Sequence, residues 1–185
     1  MPIRGPNLSM VGLEEEEPVE LRNITAADLE LYEAIHTDPR MMEHLGGPLP
    51  REGLTEKLRR DAADTQADRS WVLVIVPDGE PRAAAGTVAI WEHEWEGRTI
   101  TEIGWMVLPG FQGRGLGKRA VRAALDRVRA RSRWDVVHAF PPVSNARSNA
   151  MCRSLGFEMV EAVDFRFRDR LLRCNHWRLE VSALP

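Results

Sequence analysis

Residues 105–118 read Trp105-Met106-Val107-Leu108-Pro109-Gly110-Phe111-Gln112-Gly113-Arg114-Gly115-Leu116-Gly117-Lys118, and their order decides the fold: an apolar strand, a Pro-Gly stop, a loop with glycine at alternate positions, then the start of a helix. Glycine at 113, 115 and 117 permits backbone conformations closed to residues with a Cβ and leaves successive N–H groups pointing into one concavity. The aligned peptide dipoles of the helix contribute about half a positive charge there, and Arg114 and Lys118 add full ones. A pyrophosphate is the natural ligand of such a site. Glycines at this spacing also serve loops that only turn a chain. A dinucleotide fingerprint would need GxGxxG with an acidic residue about 20 positions on, and a Walker loop would need Gly-Lys followed by Ser or Thr; neither pattern is present.

Upstream of this segment, Val19 to Thr25 suits a short strand, and Thr25 offers an N-cap for a helix carrying Leu29, Tyr32, Ala34 and Ile35. A second helix is expected after Pro50 through Leu54, Leu58 and Ala62, ending before the polar stretch Asp64 to Arg69. Trp71 to Val76 is a continuous apolar run and Pro77-Asp78-Gly79 a turn. Ala83 to Trp91 supplies the next strand, completing a hairpin, and Glu96-Gly97-Arg98 makes another turn before the strand Thr99 to Leu108. Downstream, Val121, Ala124, Leu125 and Val128 recur at helical spacing over Gly117 to Arg131, with Lys118, Arg122 and Arg129 off that face. Asp135 to Phe140 is a strand, Asn145 to Leu155 a helix with Gly156 at its C′ position, and Glu158 to Arg166 pairs with Asn175 to Val181. Strands and helices mixed in this order make an α/β (α+β) domain without internal repeats.

The composition agrees. With 185 residues, 43% of them hydrophobic, the chain suits one domain that buries about two thirds of its unfolded surface. A net charge of −3 provides no basic field for nucleic acid or an anionic membrane. Cys152 and Cys174 have neither disulfide-framework nor metal-ligand spacing, and no apolar run approaches the roughly 18 residues of a membrane span. The expectations are a cytoplasmic protein without metal, and a domain at 19–185 preceded by a mobile acidic tail at 1–18, where Glu14 to Glu17 repel one another.

The glycine segment resembles the GNAT family of N-acetyltransferases, whose pyrophosphate motif is Gln or Arg, two residues, Gly, one residue, then Gly or Ala. Gln112-Gly113-Arg114-Gly115-Leu116-Gly117 matches it at every defined position. A second signature, found in the branch that includes ribosomal-protein N-terminal acetyltransferases, is Asn, two residues, Ser, and then Leu-Gly-Phe. Here it is Asn145, Ser148 and Leu155-Gly156-Phe157. The resemblance implies a single domain whose mixed, mostly antiparallel sheet splays at the cofactor cleft between flanking helices, and acetyl-CoA as co-substrate. It places the backbone of Met106, Val107 and Leu108 against pantetheine. The loop amides of Gly113, Arg114, Gly115 and Gly117 then meet the pyrophosphate, Leu116 and Lys118 complete the cofactor-binding segment, and Gln112 braces the loop.

An activated thioester requires a positioned neutral amine, a donor to the developing oxyanion and an acid for the leaving thiolate, without a covalent nucleophile. The resemblance implies Val107 N–H as the oxyanion donor. Glu102, His93 or water takes the amine proton. Asn145, Ser148, Asn149 and Cys152 form a polar stripe at i, i+3, i+4 and i+7 on one helix. That stripe is read as facing the cofactor, with Asn145 and Cys152 as contacts and Ser148 protonating the thiolate. Many family members carry a tyrosine where this chain has Cys152. Ser144 or Asn145 caps this helix. The Trp91 to Trp105 hairpin and the His36 to Pro48 segment frame the acceptor pocket, and Glu92, Glu94 and Glu96 attract a cationic amine. Cys174 to Trp177 border either the acceptor or a homodimer contact. The acceptor amine itself stays open, and a non-catalytic acyl-CoA sensor is the alternative function.

Overall fold

The computed structural model describes residues 19–168 and 170–183, so the expectation for the acidic tail lies outside the described residues. Seven strands form one sheet in the order β1-β2-β3-β4-β5-β7-β6: β1 (Glu20–Asn23), β2 (Trp71–Val76), β3 (Gly86–Trp95), β4 (Arg98–Val107), β5 (Val136–Ala139), β6 (Glu158–Phe167) and β7 (Arg170–Glu180). Neighbouring strands are antiparallel except β4 and β5. That parallel pair has a single registered contact, Glu102 with His138. The sheet is therefore zipped on both sides of a central slit.

Among the described residues five α-helices cover it: α1 (Leu29–His36), α2 (Pro39–Met42), α3 (Leu54–Gln66), α4 (Leu116–Arg131) and α5 (Ala146–Ser154). The apolar stripe of α4, buried at Leu116, Ala120, Val121, Ala124, Leu125 and Val128, packs with Val88, Ile90, Ile103, Val137 and Trp177 into the larger core. Each such side chain removed from water contributes about 1.5–3 kcal/mol. Across the sheet, Leu31, Tyr32 and Ile35 of α1 and Leu58 of α3 pack on Val74. Strand alternation creates this division: Ile103 turns toward α4, while Met106 joins the α1 and α3 side.

Several local features depart from the sequence expectation, among them β7, which starts at Arg170 rather than Asn175 because it pairs with β6 up to Phe167. Helix α3 continues to Gln66, because Thr65 Oγ1 donates to the Asp61 carbonyl at 2.8 Å and accepts from Val72 N–H at 2.9 Å, fastening the helix end to β2. The short α2 went unrecognised; its signal is Asp38-Pro39, an N-cap whose carboxylate accepts from Arg40 N–H followed by proline at the first helical position. Strand β3 starts at Gly86 rather than Ala83 and runs on to Trp95. Its hairpin turns on Glu96 and Gly97, at φ 49° and 72°, the two left-handed residues of a tight two-residue turn.

Candidate active site

The glycine loop lies between the end of β4 and α4. Gly113 and Gly115 have φ of 77° and 71°, and a Cβ on either would meet nothing within 4 Å. Their requirement is therefore backbone conformation, in a loop that opens outward. Gly115 is the N-cap of α4 and supplies no side-chain cap to the helix amides, which leaves that end suited to an anion. Arg114 is exposed and Lys118 half-buried beside it. Leu116 is 3% exposed in the core, so its backbone alone faces a ligand.

Backbone accounting on β4 separates the three residues expected to meet pantetheine. Leu108 N–H donates to the Ala85 carbonyl at 2.8 Å, so this amide is consumed within the sheet. Met106 directs its carbonyl toward β3, where a Cβ on Gly86 would sit 2.0 Å from it; only glycine permits that approach. Alternation then turns the backbone of Trp105 and Val107 to the slit. The Val107 carbonyl accepts from Gln112 Nε2 at 2.8 Å, and Gln112 Oε1 accepts from Arg147 of α5 at 2.9 Å. Gln112 thus ties β4, the loop and α5 together, with Val107 N–H on the open edge. Arg147 was not foreseen, since its partner lies 35 residues away.

The α5 stripe divides in two. Asn145 is the N-cap, its Oδ1 accepting from Ser148 N–H at 3.1 Å, and Ser148 is half-buried. Asn149 is 8% exposed. Its Nδ2 donates to the carbonyls of Pro142 and Asn145 at 2.9 and 2.8 Å, and its Oδ1 accepts from Asn175 Nδ2 and Trp177 Nε1 at 2.8 and 2.9 Å. Every hydrogen-bonding capacity of this amide is used, locking α5 to β7. Cys152 is 0% exposed inside the larger core, and burial pushes its thiol up to about 12. A contact between Cys152 and the cofactor, as the sequence suggested, does not fit this placement. The four positions span only about 100° of the helix, so it is packing rather than angular spread that divides them: Asn149 and Cys152 are held against β7 and the core, while Asn145 and Ser148, nearer the helix start, keep some exposure.

Glu102 and His93, the rival bases, are neighbours. His93 Nε2 lies 2.8 Å from Glu102 Oε2, off the axis of a good hydrogen bond, with side-chain exposures of 26% and 12%. Burial raises the Glu102 carboxyl above its ordinary range, and the imidazole only partly opposes it. Proximity to Glu102 is the main reason His93 is raised in turn. His93 Nδ1 is 3.3 Å from the Glu94 carbonyl, so approach of the other nitrogen to a carboxylate oxygen is stabilised by a proton held between them. Beside this pair, His138 Nδ1 and His176 Nε2 are 2.7 Å apart. Burial and the adjacent His176 bring His138 down to about 4, and burial also lowers His176.

The acidic frame is reassigned. Glu92 accepts from Trp134 Nε1 at 3.1 Å, and Glu94 accepts from Thr99 Oγ1. Glu92 and Glu94 alternate with Trp91, His93 and Trp95, so they face away from Glu102. Alternation would have revealed this from sequence. Of the α4 arginines, Arg119 pairs with Asp78 at 2.7 Å, while Arg127 and Arg131 lie over the Trp71 ring at 4.9 and 5.5 Å.

Comparison with known proteins agrees with this geometry. The model of the acetyltransferase (GNAT) domain matches residues 19–158. The fold is similar to an acetyltransferase from Salmonella typhimurium that modifies the N-terminal serine of ribosomal protein L7/L12: 16% identity, 89% of this chain and 95% of that one, TM-score 0.72. It is also similar to the aminoglycoside acetyltransferase AAC(6')-Ib in complex with coenzyme A: 19% identity, 88% and 94% covered, TM-score 0.71. A spermidine N-acetyltransferase chimera that includes Vibrio cholerae sequence has 17% identity, 89% and 96% covered and TM-score 0.71. Among the described residues no helix is long and apolar enough to cross a membrane, and no group of three or more His, Cys, Asp or Glu is placed to hold a metal ion. With the glycine loop at the mouth of a slit between β4 and β5, and a domain model matched over most of its length, this chain belongs to the GNAT acetyltransferases.

Proposed function

We propose that the chain transfers an acetyl group from acetyl-CoA to a primary amine by direct attack, with Glu102 as the base and Ser148 as the acid for the departing sulfur. The observation that carries this reading is the single β4–β5 contact at Glu102 and His138, which places a buried carboxylate beside the opening that ends in the glycine loop. Acetyl-CoA supplies an activated acetyl thioester. The amides at the N-terminus of α4, with Arg114 and Lys118, suit its pyrophosphate, and Val107 N–H faces the edge where negative charge develops on the carbonyl oxygen. The amine nitrogen forms the new N–C bond as the C–S bond breaks. One amine proton passes to Glu102, the sulfur gains one through Ser148, which is reprotonated from water, and Glu102 then releases its proton to solvent, so atoms and charge balance.

Glu102 serves as a base only once the pair has released the proton it shares with His93. His93, the more exposed partner, is its route to solvent. The comparisons leave the identity of the amine and the cellular location open; we infer a cytoplasmic enzyme from the two free cysteines. Release of free thiol from acetyl-CoA in a mixture of amines tests the reading. Stabilisation by acetyl-CoA without thiol release from any amine would favour a non-catalytic acyl-CoA sensor.

A further inference from the structure

On the face shared with α1 and α3, the strands beyond β4 are covered by rings. Trp95 of β3 stands edge-on to His176 of β7 at 4.7 Å and tilts against Phe140, which follows β5, at 5.1 Å. Phe140 stacks on Phe165 of β6 at 4.5 Å and on His176 at 4.8 Å. Phe165 meets the edge of His93 at 6.0 Å, and His93 faces Trp91 at 6.5 Å. Trp91 in turn lies over Gly104, where a Cβ would come within 3.2 Å of its ring. Amid these rings Glu102 is 12% exposed.

We propose that this surface takes the acceptor, and that the acceptor is a small monoamine with a flat aromatic body, an arylalkylamine. The inference rests on the acyl-transfer reading above and deepens it. Charge complementarity limits the number of amines. The surface buries one carboxylate, enough to hold one ammonium out of water, since Glu92 and Glu94 face the opposite side and Glu161 and Glu96, which also act on His176, are exposed to solvent. Both imidazoles of the His138–His176 pair are held neutral at pH 7, so they do not repel a cation. Further out, Arg170 shares the face of Phe165 and Arg168 lies beside it at the β6–β7 turn, while Arg166 and Arg173 alternate to the other face, where Arg173 pairs with Asp164; the two cations at this end weaken the attraction for polyamines and aminoglycosides.

Ring chemistry sets the body of the molecule. Half-buried Trp91, Trp95 and Phe165 present faces and edges that receive another aromatic ring in offset or edge-on contact, and the same faces favour an adjacent ammonium. The surroundings set its size. His44 Nδ1 lies 3.2 Å from Ser144 Oγ, and Gly46 sits against Arg170, whose Cδ would be 2.7 Å from an added Cβ. The turn after α2 thereby bonds to the loop after β5 and lies against the β6–β7 hairpin, which limits the room on that side of the rings.

The test uses the whole chain with tryptamine and phenethylamine against spermidine, kanamycin and a hexapeptide with N-terminal serine. Thiol release from acetyl-CoA gives kcat/KM, and calorimetry of each amine without acetyl-CoA gives binding. The expected result is a kcat/KM at least tenfold higher for an arylalkylamine than for the other three. Trp95→Ala and the milder Phe165→Leu should each raise the arylalkylamine KM about tenfold and weaken its binding to match, while the acetyl-CoA KM stays unchanged. Preference for spermidine, kanamycin or the peptide overturns the arylalkylamine assignment and leaves acyl transfer standing. A folded Phe165→Leu protein that keeps its amine KM shows that the rings are only packing, and overturns it too. Absence of thiol release with every amine overturns both readings.

Discussion

The two faces of this sheet meet at the same slit but are built from different materials. Toward α4 and α5 the slit is backed by aliphatic side chains, a glycine loop and an asparagine with every hydrogen bond satisfied. Toward α1 and α3, its far half is lined by rings, a half-buried histidine and one carboxylate raised by burial. The first face offers rigid backbone donors, which suit a ligand recognised by its phosphates. The second offers groups whose charge responds to their surroundings, which suit proton transfer from a substrate. The general lesson is a division of labour across one sheet: binding by backbone on one side, titration by side chains on the other.

Perturbing each face separately should break or sharpen that division. The largest effect is expected from Glu102→Gln, which lowers kcat by roughly 100- to 10,000-fold, the range for a lost proton acceptor. Its stabilisation by acetyl-CoA should remain, as a thermal melt would show; loss of that shift would mean the two faces are not separable. Asn149→Ala comes next. It leaves the Trp177 and Asn175 donors without their acceptor, while the Pro142 and Asn145 carbonyls keep backbone donors, costing about 3 kcal/mol in denaturant unfolding. A loss below about 1 kcal/mol would mean that α5 is held to β7 by other contacts.

Gly115→Glu should remove the stabilisation by acetyl-CoA, worth about 2.7 kcal/mol at a hundredfold excess over Kd. The mutant residue would face open space but occupy φ 71°, and its charge would oppose the pyrophosphate. A normal shift in the folded mutant would place the cofactor elsewhere. Ser148→Ala should reduce kcat about tenfold to a hundredfold without changing the acetyl-CoA KM. Cys152→Ala, in the core, should affect stability and spare kcat. The reverse pattern would make the thiol the acid.

The smallest effect concerns pH. Both His93 and Glu102 are raised in the folded protein, His93 chiefly by Glu102 and Glu102 chiefly by burial. A raised group contributes stability that is complete below its unfolded pKa and lost as pH climbs through its folded one. Stability should therefore decline as pH rises past the ordinary carboxylate and imidazole ranges, while turnover climbs over the same window as the pair releases its proton. His93→Gln should remove the upper part of both trends, measured by urea melts and kcat against pH. Opposite slopes that survive in His93→Gln would assign the titration to another group.

Whatever depends on neighbours along the chain was legible in the sequence. Helical spacing identified α4, β-branched runs identified β2, and the order of strand, glycines and helix at Trp105 to Lys118 located the phosphate-binding end. Those features follow from backbone geometry and periodicity, which act over a few residues. Tertiary structure decided which member of a local pattern faces which environment. It sent Cys152 into the core, spent the Leu108 amide on Ala85 and left Val107 on the open edge. Asn149 gained partners 26 and 28 residues away. Glu102, His93, His138 and His176 arrive from four different strands, and a hairpin register links only His93 with Glu102. Burial and proximity to another ionisable group set their charge, and both exist only after the strands have paired.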